Sequence, residues 1–84
     1  MKISLIRAKA DKESFRMFEG LGFRVIEMED LENTDRQIEN LVKENYQTII
    51  LTNEIAGFSE DIIKKYKHDD DINIIIAPSK RKWN

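Results

Sequence analysis

Eighty-four residues, 40% of them apolar and 36% charged, suffice for one small core and fall short of two, so the chain is expected to form a single unit over residues 1–84. Fourteen basic against sixteen acidic side chains give a net charge of −2, spread as seven basic and nine acidic in the first 42 residues and seven of each in the last 42, which leaves no basic arm for nucleic acid. The absence of cysteine excludes a disulfide framework, thiolate catalysis and cysteine-held zinc and makes the cytosol the natural compartment, while no apolar run approaches the roughly 18 residues of a membrane span and the opening MKISLIRAKADKESF turns charged too early for a secretory signal.

The aliphatic run at residues 2–7, with Ile3, Leu5 and Ile6, reads as a strand. Asp11 is placed to cap a short helix that reaches Gly20, with Phe15 and Phe18 turned to one side by their spacing of three and Gly20 and Gly22 bracketing its end. Phe23, Val25, Ile26 and Met28 form a second strand, followed by an acidic loop. Thr34 and Gln37 have capping-box spacing, and Ile38, Leu41 and Val42 give a stripe that carries a second helix to about Asn45.

Residues 46–52 hold the block Thr48, Ile49, Ile50 and Leu51, β-branched and too short for a helix, hence a third strand. Ser59 then caps a third helix, with Phe58 and Ile63 spaced as a hydrophobic staple, Ile62 and Tyr66 on the buried stripe, and Lys64, Lys65 and Lys67 suited to its last turn. Asp69, Asp70 and Asp71 stop it, residues 72–77 make a fourth strand, and Pro78 ends that strand. Alternation of strands and helices, with near-continuous aliphatic runs in the third and fourth strands, predicts a three-layer, doubly wound α/β domain of the Rossmann-like or flavodoxin-like kind. It has a four-stranded parallel sheet in the order 2-1-3-4, three helices, the first helix on one face and the other two on the opposite face.

Chemistry is sparse. The loop Ala8, Lys9, Ala10, Asp11 lacks the glycines that let a backbone close around pyrophosphate. A receiver-like phosphoacceptor would need a carboxylate ending the third strand and an acidic pair near the first, whereas here the third strand ends in Thr52, Asn53 and Glu54 and Asp11 stands alone. His68 beside three aspartates reads as a solvated acidic turn, because one histidine with adjacent acids does not supply convergent geometry. Ser4, Ser14, Ser59 and Ser79 have no arranged base. Glu54 lies just outside a strand end, where it reads as solvated or capping structure or as a contact for a protein partner. The closing Lys80, Arg81, Lys82 and Trp83 read as a tail, exposed or docked through the indole. No cofactor, metal site or catalytic residue is expected.

Two stretches, DKESFRMFEGLGFRV and LTNEIAGFSEDIIKKYKHDDDINIIIAPS, resemble the F subunit of the V-type and A-type rotary ATPases. The likeness rests on Asp11, Phe15 with Arg16, Gly22 with Phe23, the strand-end turn of Thr52, Asn53 and Glu54, and the isoleucine-rich strand that runs into Pro78 and Ser79. It implies a non-catalytic central-stalk (rotor) component, cytoplasmic and peripheral to the membrane, held against the coiled-coil helical pair of the D subunit and against neighbouring stalk subunits. Such a component couples ATP hydrolysis or synthesis to proton or sodium ion transport without an active site of its own. The resemblance also implies partner-facing positions at Glu54, Ile55, Ala56, Pro78, Ser79 and Lys80.

The sequence departs from the family pattern twice. Ala10 stands where a glycine usually precedes the acid, and the glycine-bearing segment and helix that follow the fourth strand in the family are not among these residues. Without that helix, alternate side chains of residues 48–51 and 72–76 are expected to leave about 200 to 400 Å² of apolar sheet face uncovered, open to a partner or to a second copy of the isolated chain. A stand-alone receiver-like regulatory or protein-binding domain is the alternative. A very small enzyme would need an acid–base pair that the sequence does not offer.

Overall fold

A computed structural model describes residues 2–80, so Arg81, Lys82 and Trp83 of the expected tail lie outside the described residues. Strands β1 (Ile3–Ala8), β2 (Arg24–Met28), β3 (Thr48–Thr52) and β4 (Asn73–Ala77) form one parallel sheet in the order β2-β1-β3-β4, the expected topology. Register places Ile6 beside Ile26 and Leu51, and Ile49 beside Ile74, all on one face, while Leu5, Val25 and Ile50 share the other. As the central strand covered on both faces, β1 is buried from Ser4 to Ala8.

Among the described residues four α-helices accompany the strands: α1 (Arg16–Gly20), α2 (Thr34–Lys43), α3 (Asn53–Ala56) and α4 (Glu60–Lys67). Ile38 and Leu41 of α2 join Ile6, Ile49 and Leu51 in the main core, and Ile62, Ile63 and Tyr66 of α4 pack against it. The right-handed crossover from β1 to β2 carries α1 over the opposite face, as expected. The helix beyond the expected three is α3, a single turn nucleated where the Thr52 hydroxyl accepts from Ile55 N–H at 3.3 Å. Four residues are too few to show a helical period.

Helix starts differ from expectation because the expected capping side chains form their hydrogen bonds elsewhere. Asp11 caps a turn, not α1, which begins only at Arg16 after Phe15 takes a left-handed φ of 63°. Thr34 is the first residue of α2 and donates to Leu31 O at 2.6 Å, while Asp30 caps the preceding 3-10 turn (Leu31–Asn33), so no capping box forms with Gln37. Ser59 stands at the N-cap position of α4 but its side chain does not cap: the hydroxyl donates to Asp35 Oδ1 at 2.5 Å and accepts nothing from the helix, and Phe58 stays exposed where a staple was expected.

Helix ends are better defined than the sequence suggested. At the end of α1, Gly22 has a φ of 90°, Gly22 N–H reaches Glu19 O and Phe23 N–H reaches Phe18 O, with the Phe18 and Phe23 rings edge to face at 5.7 Å. The same motif closes α2 two residues before the expected point. Asn45 takes a φ of 69°, with Asn45 N–H on Val42 O and Tyr46 N–H on Leu41 O.

On the face that α1 covers only in part, Ile50 is half-buried and Ile75 is 49% exposed; Ile76, turned to the other face, is 51% exposed. Met17 and Leu21 of the α1 region lie still more in water, at 77% and 69%. Open apolar surface thus runs along β4 and onto α1 beyond the residues first expected. Among the described residues, no helix is long and apolar enough to cross a membrane.

Candidate functional site at the strand ends

Three loops meet beyond the C-terminal ends of β1, β3 and β4. After β1 the chain turns at once, Asp11 N–H returning to Ala8 O at 2.9 Å, which drives the Asp11 side chain into the fold until none of it is exposed. A buried carboxylate is costly unless its lone pairs are filled, and here they are. Oδ1 accepts from the backbone N–H groups of Glu13 and Ser14 at 3.2 and 3.1 Å, and Oδ2 from the hydroxyls of Ser14 and Ser79 at 2.6 and 2.9 Å. Burial pushes this carboxyl up, but the hydrogen bonds from Ser14, Ser79 and Glu13 together outweigh it and hold Asp11 below the ordinary aspartate range.

The turn after β4 is fixed from both sides. Lys80 N–H donates to Ser14 Oγ at 2.8 Å, and Ser79 N–H donates to Asn53 Oδ1 at 2.9 Å. Asn53 opens α3, so the two groups of expected partner-facing residues, Glu54, Ile55, Ala56 and Pro78, Ser79, Lys80, do come together through one hydrogen bond. They face differently. Ile55 and Ala56 are buried in the core cluster and Glu54 is only 6% exposed, so the solvated reading of Glu54 is corrected: the turn of α3 tucks it inward. Pro78 and Lys80 face solvent, with Ser79 between them half-buried.

Arg7, on the β1 face toward α1, is almost wholly buried. It donates to the backbone oxygen of Asp11 and pairs with Glu27 at 3.0 Å and Glu19 at 3.5 Å, both of which keep about half their side chains in water. One guanidinium thereby ties the Asp11 turn to α1 and β2. Beside the clasp opens a hollow of about 370 Å³, walled by Phe15, Met17 and Phe18 on one side and Ala77, Pro78 and Lys80 on the other.

The chemistry available here is limited. Asp11 has four donors on its two oxygens and is committed to structure, and neither Ser14 nor Ser79 faces a free base, since each hydroxyl hydrogen goes to that carboxylate. Among the described residues no group of three or more His, Asp or Glu side chains is arranged to hold a metal ion. His68, Asp69, Asp70 and Asp71 are all exposed. The arrangement presents a firmly held turn and an apolar hollow, which suits docking.

Sequence reasoning missed Ser14, Asn53 and Arg7. The Asp11 and Ser14 spacing of three was a usable local signal for a side-chain-capped turn; nothing local signals Asn53 or the pairing of Asp11 with Ser79.

A family model described as ATP synthase (F/14-kDa) subunit matches residues 6–83. The F subunit of the V-type ATP synthase of Fusobacterium nucleatum subsp. nucleatum is 31% identical over 80 residues, a stretch covering 95% of this chain and 73% of that protein.

Proposed function

The chain belongs to the ATP synthase (F/14-kDa) subunit family, and from that premise we propose that it is a non-catalytic central-stalk component of a V-type or A-type ATPase. In this role it docks on the helical D subunit of the rotor and on neighbouring stalk subunits. It transmits or regulates the torque that couples ATP hydrolysis or synthesis to proton or sodium ion movement, peripheral to the membrane on the cytoplasmic side. The observation that carries the reading is the family match, which takes in the second half of β1, the other three strands and both loops of the Asp11 clasp. The site agrees with it in kind: its carboxylate is used up in hydrogen bonds within the chain, and what it offers outward is shape and apolar surface.

Of the six expected partner-facing residues, Pro78 and Lys80 are the ones available to a partner, with Met17 and Phe18 completing the docking hollow and Glu54, Ile55 and Ala56 supporting it from within. Co-expression with the tagged helical rotor subunit from the same organism tests the reading. A stable one-to-one complex is expected. A chain that remains unbound when all stalk subunits are supplied together would sink it.

A further inference from the structure

Among the described residues strand β4 ends the sheet on its side, so one of its edges faces away from β3. Asn73 N–H donates to Gln47 O at 2.7 Å, which in a parallel ladder turns the backbone groups of Asn73, Ile75 and Ala77 toward β3 and those of Ile74 and Ile76 outward. The outer edge lacks the usual protections: from Asn73 to Ala77 there is no charge and no proline, and the register with β3 runs without a bulge. By contrast the other edge, β2, carries exposed Arg24 and Glu27.

Both faces of this open edge are apolar. Ile75 and Ile76 lie half in water on opposite sides, and a hollow of about 480 Å³ opens along β4 between Ile63, Tyr66, Ile74 and Ile76. Charge is polarised along the strand. Asp69, Asp70 and Asp71 precede it, while Lys80 follows it, with Arg81 and Lys82 next in the sequence.

We propose that the free chain pairs with a second copy of itself along β4, antiparallel about a two-fold axis at Ile75, to form one continuous sheet. Backbone pairing selects the register, and charge selects the antiparallel orientation. Outward-turned residues must face one another, which Ile74 does opposite Ile76 of the second copy, each pair exchanging two backbone hydrogen bonds. The acidic end must also meet the basic end, and antiparallel pairing brings the acidic turn at residues 69–71 of one copy toward the Lys80 turn of the second, twice by symmetry. Parallel pairing would set acid beside acid and base beside base. Only the five residues of β4 pair on each side, so the contact is smaller than a standard interface and a weak dimer is expected, in the micromolar to millimolar range. The inference stands apart from the central-stalk reading.

The chain has no native cysteine, so Ile75→Cys gives a specific test. On the axis the two Cα atoms form a non-hydrogen-bonded pair at about 4.5 Å, within disulfide reach, and oxidation with copper–phenanthroline is expected to give a covalent dimer. Leu21→Cys, on the α1 side, is expected to stay monomeric under the same oxidation. In sedimentation equilibrium at low salt, Asp70→Lys or Lys80→Asp alone is expected to raise the dissociation constant about tenfold, and the two together to restore it. Both side chains are exposed, so folding is not at stake, and unchanged thermal melting checks that. A monomer at millimolar concentration overturns the proposal, as does a dimer that cross-links through Leu21→Cys and not through Ile75→Cys.

Discussion

The hydroxyl of Ser79 donates to Asp11 Oδ2 at 2.9 Å across 68 positions of sequence, joining the first loop of the domain to the turn after its last strand. Because Ser14 bridges the same carboxylate to Lys80 N–H, the clasp is cooperative, and its loss is felt at both loops. Asp11→Ala leaves buried donors without an acceptor and is expected to cost about 3 kcal/mol, Asp11→Asn about half of that, and Ser79→Ala about 1 kcal/mol. Urea titration followed by circular dichroism measures each. A loss below about 0.5 kcal/mol for Asp11→Ala would mean that the clasp holds nothing.

The same carboxylate sets a pH dependence. Burial raises its pKa, but hydrogen bonds from Ser14, Ser79 and Glu13 prevail and hold it below the value of about 3.9 for an unfolded chain. Glu39 is also held low, by the Tyr66 hydroxyl first and then by Lys65. A depressed folded pKa stabilises above the unfolded pKa and loses that contribution as pH falls through the folded value. Stability is therefore expected to fall below about pH 4, and Asp11→Asn is expected to flatten the fall. Equal slopes for the two proteins below that pH would refute the assignment.

Two glycines separated by a single residue are expected to respond in opposite directions. Gly22 sits at a φ of 90° with open space where a Cβ would go, so Gly22→Ala costs only the left-handed backbone, about 1 kcal/mol. Gly20, in the last turn of α1, also has room, and Gly20→Ala is expected to stabilise by about 0.5 kcal/mol through helix propensity. Melting temperatures report both, at about 4 to 8 °C per kcal/mol for a domain of this size.

Docking through the hollow beside Pro78 predicts a split between binding and folding. Met17 is 77% exposed, so Met17→Asp is expected to leave melting nearly unchanged while weakening capture by the helical rotor subunit about tenfold or more. Wild-type affinity for this variant in surface plasmon resonance would move the interface elsewhere.

The strands and their order were legible in the sequence because each is a short, mostly aliphatic run, near-continuous in β3 and β4, and parallel pairing with right-handed crossovers leaves few ways to arrange four of them. Caps were less legible. The Thr34 hydroxyl donates back to Leu31 O and Asp30 caps a 3-10 turn one turn upstream, an arrangement set by that preceding turn and not by the spacing to Gln37. Glu54 misled for a different reason: a glutamate is exposed by default, and only the unforeseen turn of α3 carries it inward. At the site, Asp11 stood out, yet its decisive partner lies a whole domain away in sequence, where no periodicity reaches.

The strand order β2-β1-β3-β4 has a bearing on how the molecule is made. As the chain emerges from a ribosome, β1 is available first, β2 adds to one side of it, β3 to the other, and β4 to β3. No later strand has to be inserted between two that are already paired. The sheet can grow by accretion at a free edge, so nothing formed early must be undone, and the edge left for last is the isoleucine-rich one.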